Sequence, residues 1–246
     1  MKRTAPFMLL IILLCIWEVI ARKVDMQFIL PTPIDVIHKI WTLREVLFFE
    51  HLPATMLVVA IGLAVSIILG VIIALLMTMS RILEQAFYPV LIATQTIPII
   101  AIAPIFVLWF GYTIWSRVLV TILIAFFPIA IAAFDGIRST STEYKELFLS
   151  MGANKRELFF KLQVPAAMPM FFSGLKVAVP MAVIGAAIGE WLGAQDGLGY
   201  FSRRMMTQFD GAGVFAPIAV LSIAGLLLFT FVILLEKYML RWRKYQ

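Results

Sequence analysis

Residues 143–165 read EYKELFLSMGANKRELFFKLQVP, the longest polar interval between apolar runs that still carries helical periodicity. Glu143, Lys145, Glu146, Lys155, Arg156, Glu157 and Lys161 are spread over two helical patterns, with Gly152 at the corner and Pro165 closing the run. Thr140-Ser141-Thr142-Glu143 offers a capping box for the first helix, in which a threonine oxygen accepts an orphan N–H while Glu143 reaches back. Leu147, Met151, Leu158, Leu162 and Phe159 give each short helix one apolar side. Two short amphipathic helices between apolar spans suit a docking surface for a soluble partner. A solvated hairpin that touches nothing has the same pattern, and periodicity leaves both open.

Working outward, the 246 residues are 63% hydrophobic and 14% charged, against roughly 45–50% and 25% in soluble domains. A soluble fold of this length has no interior large enough for that apolar surface, so the class is all-α integral membrane. The apolar runs are long enough for helices, and the short alternating segments of a membrane barrel are absent. The net charge of +6 reports loop bias and contact with anionic lipid, not nucleic acid. The single cysteine, Cys15, rules out an intrachain disulfide. Residues 5–21 read as a retained span, because Glu18 and Arg22 stand where a cleavage site would need small residues.

Six windows approach the roughly 20 apolar residues a bilayer core requires: 5–21, 54–79, 86–110, 117–137, 166–190 and 212–236. Of the twenty Lys and Arg, twelve fall on the side holding both termini and seven on the other, with Lys176 inside a span. That bias puts both termini, and the 138–165 segment, in the cytoplasm. On the outer side, Thr32 can cap, Pro33 suits the first helical position and Asp35 the positive helix end, so a helix over 33–49 is expected at the interface.

Gly62, Ser66 and Gly70 recur every four residues and predict close helix packing, as do Gly185 and Gly189. Gln95 and Thr96 precede Pro98 and either line a polar path or satisfy backbone that the proline frees. Pro128 and Pro180 predict further kinks. Glu190 and Trp191 stand at the outer end of the fifth span, before a tight turn through Gly193, Asp196-Gly197 and Gly199. They read as a cavity mouth, or as a carboxylate reaching water beside an interfacial tryptophan.

No phosphate loop of the G-x-x-x-x-G-K-[ST] type occurs, and no nucleophile stands with a base. His38 and His51 carry no ligand spacing and read as solvated or interfacial. No paired intramembrane carboxylates suggest a proton relay. Uphill transport by this chain would therefore draw its energy from another.

The central stretch resembles the cytoplasmic motif of permease subunits of bacterial binding-protein-dependent ABC importers: E-A-A, three residues, Gly, nine residues, Ile, one residue, Leu-Pro. Glu146 stands six before Gly152, Leu162 ten after it, and Val164-Pro165 end the motif. Leu147 and Phe148 replace the alanines, and Leu162 and Val164 replace Ile and Leu. Leu30-Pro31-Thr32-Pro33, Gln95-Thr96-Ile97-Pro98, Trp109-Phe110-Gly111 and the run from Gly189 to Tyr200 are similar to the nitrate, sulfonate, taurine and thiamine-precursor importer group. The Gly-Glu-Trp-Leu-Gly-Ala run at 189–194 resembles most the branch linked to pyrimidine thiamine precursors.

The resemblance implies a single type I importer permease domain over 1–246 in the bacterial cell membrane. It further implies a second, identical permease chain, two cytoplasmic ATPase subunits that hold ATP and Mg, and an extracytoplasmic substrate-binding protein. Residues 153–160 would form the coupling helix. Ala153, Asn154, Lys155, Arg156 and Glu157 would meet the ATPase, Leu158 or Phe159 would anchor it, and Glu146, Gly152 and Pro165 would frame it. Gln95, Thr96, Glu190 and Trp191 are candidates for the solute path. A membrane-embedded enzyme is disfavoured by the missing catalytic set, and a secondary carrier by the scarcity of intramembrane charge. A non-transporting scaffold that docks an ATPase is the competing class.

Overall fold

The computed structural model describes residues 5–242. Lys2, Arg3, Arg243 and Lys244, which enter the charge bias above, lie outside the described residues. The helices are α1 (Ala5–Val24), α2 (Pro33–Thr42), α3 (Leu52–Met79), α4 (Arg81–Thr96), α5 (Ile99–Phe110) and α6 (Ile114–Arg138). They continue as α7 (Thr142–Ser150), α8 (Lys155–Glu157), α9 (Val164–Gly193), α10 (Leu198–Thr207) and α11 (Gly211–Met239). A widened π-turn, Val46–His51, runs into α3, and a second, Leu158–Gln163, joins α8 to α9.

α6 is the central element, packed along α3 on one side and α9 on the other. Lipid tails are as apolar as leucine, so helices in a bilayer associate through close packing, and small residues permit it. Both expected small-residue faces turn toward α6. A Cβ on Gly62 would overlap the Thr121 side chain, and one on Gly70 would stand 3.0 Å from Ile129 Cγ2. From the other side, a Cβ on Gly185 would lie 2.8 Å from the Thr121 Cα, and one on Gly189 2.9 Å from the Arg117 Cα. Thr121 is thus clamped between two glycines. Around it Val58, Val118, Ala125, Ile129, Phe172 and Val179 form the main buried cluster.

Among the described residues, four helical runs are long and apolar enough to cross a membrane: Val46–Met79, Ile114–Arg138, Lys155–Gly193 and Gly211–Met239. The 20 residues of α1 extend about 30 Å at 1.5 Å per residue, also enough to cross. The expected span 86–110 is not one rod. It is α4 and α5, meeting at 97°. Pro98 cannot donate a helical hydrogen bond and pushes Ile97 into extended backbone (φ −84°, ψ 125°), which ends α4. The ion pair between Glu84 and Arg138 fixes α4 to the end of α6.

Two boundaries also differ. The helix expected over 33–49 stops at Thr42, and residues 46–49 belong to the π-turn that enters α3. Its start is as expected: the Thr32 hydroxyl accepts from the Asp35 N–H at 3.1 Å while the Asp35 carboxylate accepts from the Thr32 N–H at 3.1 Å. Lys176 is tolerated within α9 because Glu236 of α11 stands 2.9 Å from its ammonium.

Candidate functional site

α9 is 30 residues long, with α7 and α8 at one end and α10 at the other. At the first end, the N-cap of α7 is Ser141, which makes no side-chain cap bond. Glu143 is then the second helical residue, one short of the position from which a carboxylate reaches back. The capping box expected over 140–143 therefore does not form. One forms at the next helix instead. The Asn154 side chain accepts from the Glu157 N–H at 2.9 Å, and Glu157 accepts from the Asn154 N–H at 3.1 Å and from Lys161 Nζ at 2.8 Å. The N-x-x-E spacing of this box is visible in the sequence.

Gly152 makes the corner with φ +84°, a value glycine adopts without strain. Its N–H donates to Leu149 O at 3.0 Å and the Ala153 N–H to Phe148 O at 3.0 Å, which is the Schellman closure of α7. A Cβ there would meet no atom within 4 Å, so backbone alone demands the glycine.

α7 buries none of its residues. Glu146, Asn154, Lys155 and Arg156 are exposed, while Ala153, Glu157, Leu158 and Pro165 are half-buried. Tyr144, Leu147, Leu149, Met151 and Phe160 are exposed together, Met151 to 76%. Apolar and charged side chains are thus both exposed at this end of the bundle. Of the two expected anchors, Leu158 or Phe159, Phe159 lines a cavity of about 260 Å3 with Val71, Leu75, Ala133 and Met168. Phe160, with the Arg156 guanidinium 5.9 Å from its ring centre, is the exposed aromatic. The expected second short helix is not separate either: residues 155–193 are one helical run. A push on α8 therefore acts directly on α9.

At the other end the chain folds back through Gly193–Gly197 into α10, whose N-terminus points at α9 and α3. Three side chains, two of them from a distant part of the chain, satisfy its first N–H groups. His51 Nδ1 accepts from Gly197 at 3.2 Å, Thr55 Oγ1 from Leu198 at 2.8 Å, and Glu190 Oε2 from Gly199 at 2.8 Å. Glu190 has no exposed surface, so it is neither at a cavity mouth nor reaching water, and His51, expected as solvated or interfacial, is buried. A carboxylate at a helix N-terminus has the favoured charge for that end. Beside it Asp196 pairs with the buried Arg117, and Arg203 donates to the Trp191 carbonyl.

The four residues expected along a solute path are not brought together. Gln95 and Thr96 are exposed at the α4–α5 bend, with the Thr96 hydroxyl donating to Ala93 O at 2.8 Å. Trp191 lines an apolar cavity of about 370 Å3 between α5, α9 and α11, with Ile100, Ile184 and Ile218. Glu190 faces α10 instead. His51, Thr55 and Arg117 were missed as its neighbours because no local pattern links residues so far apart in sequence.

Comparison with known proteins agrees with this architecture. Residues 66–245 match the family described as binding-protein-dependent transport system inner membrane component. The chain is 56% identical to the formylaminopyrimidine transport permease protein ThiX of Halalkalibacterium halodurans, over 98% of this chain and 96% of that protein. It is 36% identical to a probable ABC transporter permease protein of Haemophilus influenzae, covering 91% of each. It is 35% identical to the riboflavin transport system permease protein RibX of Chloroflexus aurantiacus, over 95% of this chain and 88% of that protein. The chain therefore belongs to the family of binding-protein-dependent transport system inner membrane components, as a multi-pass permease.

Proposed function

We propose that this permease moves a pyrimidine thiamine precursor of the formylaminopyrimidine class into the bacterial cytoplasm. The similarity that carries the cargo assignment is the 56% identity, over nearly the whole chain, to a formylaminopyrimidine permease. In this reading residues 1–246 form one transmembrane domain with both termini cytoplasmic. Two identical permease chains join two ATPase subunits, which bind ATP and Mg, and an extracytoplasmic binding protein delivers the solute.

The exposed α7–α8 surface carries the coupling assignment. Glu146, Lys155 and Arg156 supply charged contacts to the ATPase, and Leu147, Met151 and Phe160 the apolar ones. Gly152 and the Asn154–Glu157 box hold the corner rigid, so closure of the ATPase dimer displaces the corner as a body. Because α8 continues into α9, the displacement reaches Trp191 and the α5–α9 cavity without a flexible joint. An element with two arrangements, biased from the ATPase at one end and from the binding protein at the other, is what coupling between distant sites requires.

The test is ATPase activity of the reconstituted transporter with its binding protein, measured against formylaminopyrimidine, riboflavin, an aliphatic sulfonate, taurine and nitrate. Stimulation by formylaminopyrimidine alone is expected. Stimulation by another member of the panel reassigns the cargo, and an ATPase that co-purifies but ignores every solute favours the scaffold.

A further inference from the structure

Arg117 and Glu190 are both buried at the α10 end of the bundle, and each keeps one side-chain atom without a hydrogen-bond partner. The orphan on Arg117 is a donor, Nε, and the orphan on Glu190 is an acceptor, Oε1. Native structures seldom leave buried polar atoms unpaired, so two complementary orphans in one cluster call for an explanation. The backbone sets them side by side. A Cβ on Gly189, the residue before Glu190, would lie 2.9 Å from the Arg117 Cα, so the arginine arm starts beside Glu190. Its guanidinium ends on Asp196, the residue before Gly197, and Gly197 packs against the Glu190 carboxyl. The guanidinium is close enough for its charge to act on that carboxyl.

The present pairing is lopsided. The Arg117 side chain is 8% exposed, whereas that of Asp196 is 55% exposed, on the loop that leads into α10. A shift of that loop carries Asp196 away but leaves the guanidinium inside. A buried charge stripped of its partner is strongly destabilising, so the guanidinium then has to take another carboxylate. Glu190 already lies beside it, and its orphan oxygen is the acceptor. The other oxygen, Oε2, accepts from the Gly199 N–H and so helps to hold the start of α10. One arginine therefore stands between a surface carboxylate on a loop and a buried carboxylate that clamps a helix.

We propose that Arg117 is a positioning residue of the transport cycle with two alternative partners. It holds Asp196 in the arrangement seen here, and Glu190 when a docked binding protein lifts the loop between α9 and α10. The exchange draws the Glu190 carboxylate off the Gly199 N–H and frees the start of α10, leaving His51 and Thr55 to hold the first two N–H groups alone. The trigger rests on the reading that this end meets the binding protein; the exchange of partners does not.

Amide hydrogen exchange over residues 197–205 of the assembled transporter tests it, with Asp196→Asn alone and together with Glu190→Gln. An ionised carboxylate is a stronger partner for a guanidinium than a neutral amide, so Asp196→Asn biases Arg117 toward Glu190. Exchange at the start of α10 should then be roughly tenfold faster. Adding Glu190→Gln removes the bias and keeps an acceptor for Gly199, so exchange should return to within about twofold of wild type. An ion pair that only braces the fold predicts the opposite order, because the second change weakens the cluster further. Exchange unchanged in Asp196→Asn, or as fast or faster in the double variant, overturns the proposal. If the double variant does not accumulate, ATP hydrolysis by Asp196→Asn without binding protein decides. A rise above wild type is expected, and hydrolysis at or below the wild-type level overturns the proposal. The expected exchange pattern beside wild-type hydrolysis that ignores the binding protein would support the exchange of partners and overturn the docking reading.

Discussion

Gly197 lies so close to Glu190 that a Cβ on it would overlap the carboxyl carbon and both carboxyl oxygens. Its backbone, φ +100° and ψ 161°, is in a region open essentially to glycine alone. Gly197→Ala therefore meets two penalties, backbone strain of about 1–3 kcal/mol and a steric overlap that must displace Glu190 from its bond to the Gly199 N–H. A clear loss of apparent Tm in detergent is expected.

Glu190→Ala should cost roughly 2–4 kcal/mol by leaving the Gly199 N–H unpaired and a void beside it. Glu190→Gln keeps an acceptor and should cost less. If Glu190→Ala instead left Tm unchanged and raised the transport KM, the carboxylate would belong to the solute path after all.

Gly152 and Asn154 separate stability from coupling. Gly152→Ala meets no neighbouring atom, so its cost is confined to backbone, about 1 kcal/mol. Asn154→Ala loses a cap, also about 1 kcal/mol. Both chains should insert and assemble. Cargo-stimulated ATPase in proteoliposomes should nevertheless fall by roughly tenfold relative to basal activity, because the angle between α7 and α8 is no longer fixed; tenfold corresponds to about 1.4 kcal/mol of coupling. Full stimulation in both variants would contradict the coupling role.

Gly62 and Thr121 form a pair suited to a double-mutant cycle. Gly62→Ala drives a methyl onto the Thr121 side chain and should lower Tm, since added volume in a packed contact costs typically about 1–3 kcal/mol. Thr121→Ser removes the overlapped Cγ2 and should recover part of that loss. A coupling energy of about 1 kcal/mol between the two changes is expected, and strict additivity would show that α3 and α6 do not meet there.

Asp210 caps α11 by accepting from the Gly213 N–H at 2.8 Å, and Lys39 of α2 stands 2.5 Å from it. Partial burial pushes its carboxyl up, but the Lys39 hydrogen bond and charge and the Gly213 N–H outweigh that and hold it below the usual range. A depressed carboxyl stabilises the fold fully above its unfolded value of about 3.9 and loses that contribution as pH falls through the folded value. Asp210→Ala should therefore lower Tm at pH 7, and the gap from wild type should close on acidification below about pH 4. A gap that persisted there would assign the effect to packing.

The helices were legible wherever a local pattern encodes them. The Gly62–Ser66–Gly70 and Gly185–Gly189 faces announce close packing, and Thr32-Pro33 with Asp35 announces a helix start. The Gly152 corner is visible because a polar amphipathic run breaks at a glycine. What stayed hidden is encoded by partners distant in sequence. Glu190 reads as a cavity mouth until His51 and Thr55 are seen beside it, capping a helix 146 and 143 residues away. Phe159 and Phe160 are adjacent and equally apolar, and only the packing of α3 and α6 against the π-turn decides which turns inward. The 97° bend at Ile97 has its cause in Pro98, yet proline also occurs within unbroken helices here, as at Pro128 and Pro180.

Site-specific cross-linking addresses the central claim, that the α7–α8 end is the surface driven by the ATPase. With Cys15 replaced by serine, single cysteines would be placed at Met151 and at Phe209, 76% and 78% exposed at opposite ends of the bundle. Cross-linking of Met151→Cys to the ATPase, with a yield that changes on ATP binding, and none from Phe209→Cys, is the expected result. Cross-linking from Phe209→Cys with none from Met151→Cys would invert the sidedness and contradict the account.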